Sequence, residues 1–343
     1  MRAGQNGLLT EMREAPEAVR RQASLLTEPL ADLIERCRRI PPRVVVTCAR
    51  GSSAHAATFG KHLIERHLGI PVAAAAPNIA SVYHQSLRLK DQLVLTISQS
   101  GRSDDLIEFT AMARDAGALT VSIVNEPSSP LAAVSEISLP MEAGPELSVA
   151  ATKSFIATLS VLLRLTAAWT DDNSLREAIE RLPDRLAAAS ELDWSYALKA
   201  LSRSQSLVTI GRGPTLAIAR EAALKLKETC DLQAEPFSSA EFQHGPMALV
   251  TPRYPVLLFQ SNDESAGELR KLADALSANG ADVLITDQDD SIKGRLPIVA
   301  PDCPETDAVC LIQSFYAFAL QLAERRRVDF ERPRHLQKVT RTR

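Results

Sequence analysis

One run of residue types occurs twice, and it restricts the fold more than any other feature of the chain. Residues 43–67 read RVVVTCARGSSAHAATFGKHLIERH and residues 206–228 read SLVTIGRGPTLAIAREAALKLKE. Each is a β-branched apolar run, a glycine turn and a helical pattern. The next segments repeat as well. QLVLTISQS (92–100) is echoed by YPVLLFQSND (254–263), and AGALTVSIVNEP (116–127) by NGADVLITDQDD (279–290), at nearly equal offsets. Alternating strand and helix patterns are the signature of a parallel sheet covered by helices on both faces. The expected class is therefore α/β, with two similar doubly wound parallel-sheet subdomains in tandem. The expected boundaries are an N-terminal helical segment (1–40), a first subdomain (41–170), a helical connector (171–203), a second subdomain (204–325) and a C-terminal tail (326–343). Residues 11–40 carry a helical pattern that ends at Pro41-Pro42.

Composition excludes several classes. With 343 residues, 45% hydrophobic and 24% charged, the chain has the balance of a globular protein with a sizeable core. A formal net charge of −3 gives no general attraction to nucleic acid or membrane. No apolar stretch is continuous enough to predict a membrane span, and the N-terminus does not read as a signal peptide. Five scattered cysteines without Cys-x-x-Cys spacing argue against a disulfide framework or structural zinc, and suit a reducing cytoplasm. The histidines show no metal-ligand spacing, so no metal and no cofactor are expected.

In open parallel sheets, ligands sit beyond the carboxyl ends of the strands, where helix N-termini present free N–H groups. SQSGRSDD (98–105) falls at such an end. Ser98, Gln99, Ser100 and Ser103 could surround a phosphate, with Gly101 allowing close backbone approach. Equally, Ser103 could simply cap a helix and the rest form an ordinary turn. ARGSSAH (49–55), with Gly51, Ser52 and Ser53, is a second loop of this type. GRGPTLA (211–217) imitates a dinucleotide-binding fingerprint, but Leu216 fills the third glycine slot and no acidic strand end follows at the right distance, which excludes that reading.

The helical stretch from Arg220 places Glu221, Lys225 and Glu228 on one face. From spacing alone, a solvated, salt-bridged face is the favoured reading over a catalytic one. Downstream, His244 precedes a Gly-Pro turn expected to fix its position, although a lone loop histidine is more often structural.

Four ordered motifs, SQSGRSDD, ELSVAATKSF (146–155), EAALKLKETCDLQAEPFSSAEFQHGP (221–246) and ERPRHLQKV (331–339), resemble the sugar isomerase (SIS) family, whose halves are flavodoxin-like. The likeness is greatest to the isomerase half of glucosamine-6-phosphate synthase and to SIS-type glucosamine-6-phosphate deaminases. It implies that Ser98, Gln99, Ser100 and Ser103, with Ser53, bind the substrate phosphate. Gly51, Ser52, Val149 and Ala151 would line the sugar. Glu228 matches the base that moves a proton between carbons 1 and 2, and Lys225 its companion. His244 matches the ring-opening residue, lent by the neighbouring subunit, and Lys338 the lysine that reaches the open-chain carbonyl. Arg50, Arg102 and Ala151 depart from the synthase pattern at a cysteine, a glutamate and a serine; Arg102 is expected to add an anion contact.

The resemblance also implies a reaction. Arg2 stands where the synthase has its glutaminase cysteine, and strand patterns begin near residue 43, so no glutamine-hydrolysing domain is expected in these residues. The expectation is deamination of glucosamine 6-phosphate to fructose 6-phosphate and ammonia. Galactosamine 6-phosphate and fructosamine 6-phosphate remain alternative substrates, and a non-catalytic sugar-phosphate sensor is the alternative of another class. The expected partner is a small phosphosugar, not nucleic acid or membrane, and the expected assembly is a homodimer sharing His244. The basic tail is expected to fold over the site rather than form a nucleic-acid arm.

Overall fold

The computed structural model describes residues 7–338. Ten strands form two five-stranded sheets. The first sheet contains β1 (Val45–Ala49), β2 (Val72–Ala74), β3 (Leu93–Ser98), β4 (Leu119–Val124) and β5 (Ile137–Pro140). The second contains β6 (Ser206–Gly211), β7 (Gln233–Ser238), β8 (Pro255–Phe259), β9 (Asp282–Thr286) and β10 (Arg295–Leu296). Their orders are β2-β1-β3-β4-β5 and β10-β9-β8-β6-β7, and every pairing is parallel. Counted from its own first strand, each sheet therefore has the order 2-1-3-4-5 of the doubly wound flavodoxin-like fold. The repeated sequence plan is a repeated topology, and the expected α/β class is the observed one.

The inner strands explain why the pattern was readable. All six residues of β3 and all five of β8 are buried, so these segments are continuous apolar runs rather than alternating ones. In the first sheet, Ala49 of β1 pairs with Ile97 of β3, so the two strands end side by side at the switch point of the strand order. The helices that follow, Gly51–Leu68 and Asp104–Asp115, both begin there. Gly60 lets the first of them approach the helix Lys153–Thr170: a Cβ at that position would lie 3.1 Å from a Leu162 methyl.

The corresponding switch point of the second sheet is filled by its own chain. Thr215 Oγ1 accepts from Arg212 N at 3.0 Å and donates to Phe259 O at 2.7 Å, which stitches the ends of β6 and β8 together. The helix Thr215–Cys230 packs along the helix Pro304–Arg326. At the far end of that pair, Arg326 donates to the carbonyl oxygens of Leu201, Ser202, Ser204, Cys230 and Asp231. Pro304–Arg326 is the one helix among the described residues long and apolar enough to cross a membrane, yet 94% of that window is buried inside the protein, as in a core helix.

The chain forms two compact units, each built around one sheet. The first-sheet unit comprises residues 17–147, 153–180 and 337–338; the second-sheet unit comprises 7–16, 148–152 and 181–336. The helical pattern expected over residues 11–40 is broken into Gly7–Arg13, Ala15–Leu25 and Thr27–Arg39. Pro16 and Pro29 account for the breaks, since proline fits the first turn of a helix and interrupts its interior. Residues 339–343 of the basic tail lie outside the described residues.

Gly211 is where β6 turns into its helix, and a Cβ there would lie 2.2 Å from the backbone oxygen of Thr215. Backbone cannot yield as a side-chain tip can. Gly211→Ala is expected to destabilise the protein by about 2 kcal/mol or more, read as a lower midpoint in urea denaturation.

Candidate active site

In the first-sheet unit, the candidate phosphate loop follows β3. Ser98 is buried, and its Oγ accepts from Gly101 N at 3.1 Å. Ser100 Oγ accepts from Arg102 N at 3.3 Å, which leaves its own O–H free to donate. Gly101 has φ +60°, and a Cβ on it would lie 2.2 Å from Ser129 Oγ. Its carbonyl accepts from Leu131 N at 3.1 Å, and Gln99 O accepts from Asn125 N at 3.2 Å. The loop is thus held from behind by the segment after β4, which fixes where its outward groups point.

Ser103 occupies the N-cap position of the helix Asp104–Asp115 with extended backbone, but its side chain makes no capping hydrogen bond. Its hydroxyl and that of Ser53, both half-buried, have no protein partner. Capping was the alternative role for Ser103. Its absence leaves a polar group beside the free N–H groups of a helix start, the arrangement that suits an anion. Gly51, with φ +52°, turns β1 into the helix bearing Ser52 and Ser53.

Beside this loop, Arg50 Nε and Nη2 donate to Asp105 Oδ2 at 3.0 and 2.8 Å. The Asp105 side chain is fully buried and that of Arg50 is half exposed. Arg50, a departure from the related pattern, therefore ties the end of β1 to the first turn of the helix Asp104–Asp115 that follows β3. Arg102 is exposed, with Glu126 as its charged neighbour.

The same unit holds Lys338. Its Nζ donates to Glu146 Oε2 at 2.8 Å, while Ser154 donates to the Glu146 carboxylate through N at 3.1 Å and Oγ at 2.6 Å. The Glu146 side chain is fully buried. Glu146 was not singled out in the sequence reading; its place at the head of ELSVAATKSF was the available signal.

In the second-sheet unit, Lys225 is buried between two carboxylates on the same helix. Its Nζ lies 3.4 Å from Glu221 Oε1 and hydrogen-bonds Glu228 Oε2. Glu221 is fully buried and accepts from the Tyr316 hydroxyl at 3.3 Å. Burial alone pushes the Lys225 pKa down, but the charges of Glu221 and Glu228 outweigh it and the net shift is upward, so Lys225 stays an ammonium. Glu228 keeps 20% of its side chain exposed, unlike its two neighbours on this face. The face is a buried ion triad with one carboxylate at the surface, not a solvated salt-bridge ladder.

Val149 and Ala151 lie in the segment 148–152 of this unit, which Glu11 anchors by accepting from Ser148 N at 3.2 Å. His244 ends the helix Ser239–Gln243, with its ring exposed and unpaired. The Gly-Pro turn expected to fix it opens a short 3₁₀ helix, Pro246–Leu249, with no buried residue. The structure thus groups Ser53, Ser98, Gln99, Ser100 and Ser103 around one switch point in one unit, and Lys225 with Glu228 in the other.

The SIS domain profile matches residues 41–168 and 200–325. The chain belongs to the SIS domain family. It is 30% identical over 98% of its length to a glutamine–fructose-6-phosphate aminotransferase (isomerizing) of Halobacterium salinarum, and spans 60% of that relative. A candidate phosphosugar isomerase from Silicibacter pomeroyi is 41% identical, with a TM-score of 0.89 covering 94% of this chain and 99% of that one. Glucosamine-6-phosphate deaminase of Thermotoga maritima shares the fold, with a TM-score of 0.72 at 21% identity, covering 96% of this chain and all of that one.

Removing the lysine from the triad should leave two carboxylates facing each other in a buried place. Lys225→Met is expected to cost about 3 kcal/mol at pH 8. The carboxylates left behind would have raised pKa values in the folded state, so the loss should shrink toward pH 5 as they take up a proton. Urea denaturation at the two pH values checks both the size and the sign.

Proposed function

We propose that the protein is an amino-sugar-phosphate isomerase that deaminates glucosamine 6-phosphate to fructose 6-phosphate and ammonia. The observation that carries this reading is Glu228: a partly exposed carboxylate, held in place by a hydrogen bond from the buried Lys225 ammonium. That is what abstraction of a proton next to a carbonyl requires.

The reaction divides among the residues as follows. Ser98, Gln99, Ser100, Ser103 and Ser53 hold the phosphate, and binding energy from that remote group positions the reacting carbons. His244 moves a proton from the anomeric hydroxyl to the ring oxygen as the ring opens to the aldehyde. Glu228 takes the proton from carbon 2 as the carbon-1 oxygen takes one up, giving an enaminol with the hydroxyl on carbon 1 and the amine on carbon 2, and returns its proton to carbon 1 as the nitrogen gives one up. The product is an imine at carbon 2. Water adds to it, ammonia leaves, and the carbonyl of fructose 6-phosphate remains. Lys225 balances the charge on Glu228 throughout. Lys338 is assigned to the open-chain carbonyl oxygen, where a cationic donor offsets developing negative charge.

An exposed, unpaired His244 on an exposed turn supports a ring-opening residue that serves a second copy of the chain, and hence a homodimer. Five free thiols, four of them buried, suit a reducing cytoplasm.

Ammonia release from glucosamine, galactosamine and fructosamine 6-phosphates tests the assignment. Glucosamine 6-phosphate is the expected substrate; saturable binding without turnover of any of the three would make the chain a sensor instead. Glu228→Gln should lower kcat by about 10²–10⁴-fold. The double change Ser100→Ala/Ser103→Ala should act mainly on KM, raising it about tenfold or more. Mixing His244→Ala with Glu228→Gln protomers should restore part of the activity if the histidine serves its neighbour; no recovery would confine each site to one chain.

A further inference from the structure

A cavity of about 770 Å³ lies in the second-sheet unit, and none of the residues assigned above lines it. This is within the range of roughly 300–1,000 Å³ typical of small-ligand pockets. Its wall includes Lys199, Arg203, Arg253 and Lys293, which come from three separate stretches of chain, and one carboxylate, Asp282. Lys199 lies in the helix Ser195–Leu201 and Arg203 just past its end. Arg253 precedes β8 and Lys293 precedes β10, while the floor is the buried start of β9, Val283 and Leu284.

Two features of this wall bear on what it can hold. Among the described residues, none of the four cationic side chains has a hydrogen bond or ion pair, so nothing on the protein neutralises them singly. A protein with a formal net charge of −3 thus gathers four unneutralised cations around one concave surface. In addition, Arg253 has φ +67°, a left-handed conformation costly for a residue with a Cβ, held by its N–H donating to Gly280 O at 2.7 Å. Backbone strain of this kind persists where the surroundings impose it, and here it sets the Arg253 side chain in the wall of the cavity.

We infer that this pocket binds a small anion carrying two phosphoryl groups. One phosphate monoester carries at most two negative charges, and would leave the excess of cations over Asp282 unmatched. Two phosphoryl groups carry three to four and match it. The concave form and the single floor favour a compact ligand over an extended chain.

Isothermal titration with inorganic pyrophosphate tests the site, with inorganic phosphate as the singly phosphorylated comparison. Pyrophosphate is expected to bind saturably, at least about tenfold more tightly than phosphate, and more weakly as salt rises. Arg203→Ala/Lys293→Ala, both surface changes, should keep the melting temperature and weaken pyrophosphate binding about tenfold or more. Ser100→Ala/Ser103→Ala should leave it unchanged. Undiminished binding by the Arg203/Lys293 variant, loss of binding in the serine variant, or no saturable binding at all would each overturn the assignment. No turnover is measured, so either result leaves the isomerase reading as it stood.

Discussion

Parallel pairing of β1 with both β2 and β3 is the constraint on which the first sheet's chemistry depends. A chain that runs β1 to β2 on one side and returns to β3 on the other must leave the ends of β1 and β3 adjacent, each followed by a helix start. Two loops of free N–H groups then face the same place whatever their side chains. The sequence determines only what occupies it. In the first sheet, Ser53, Ser100 and Ser103 stand at these loop and helix starts and the backbone at Gly101 is pinned from behind. In the second, the same topological position is taken by Thr215, whose hydroxyl stitches β6 to β8. One plan has thus given an open loop in one copy and a plugged one in the other.

The second unit buries a different set of groups from the first. Its helix Thr215–Cys230 is covered along its length by Pro304–Arg326, so Glu221 and Lys225 are removed from water and only Glu228, near the helix end, reaches it. A buried lysine alone would tend to lose its proton. Two carboxylates around it reverse that tendency, and the cation in turn hydrogen-bonds Glu228.

The inner strands and their helices were legible in the sequence because a strand covered on both faces needs an unbroken apolar run. The edge strands were not. β2 and β10 have three and two residues, β5 ends at Pro140, and β7 contains Glu235 and Pro236. Proline and charge are tolerated where one side of a strand has no partner, so an edge strand carries little of the pattern that reveals an inner one. The serine loops were readable for a similar reason, since their geometry is set by neighbours a few residues away. Arg50–Asp105, Glu146–Lys338 and Glu11–Ser148 were not, because each joins residues separated by 55, 192 and 137 positions. Spacing along a helix can suggest the Glu221–Lys225–Glu228 cluster, but not whether water reaches it; that depends on the helix ending at Arg326.

That last helix carries an implication for how the protein is made. Arg326 gathers the carbonyl oxygens at the end of the Glu228 helix and of the 201–204 turn, and Tyr316 supports Glu221. A nascent chain exposes Glu228 to the ribosome exit long before either residue has been synthesised. Until Tyr316 and Arg326 have been made, the helix carrying Glu228 therefore lacks the contacts that bury Glu221 and Lys225 beside it.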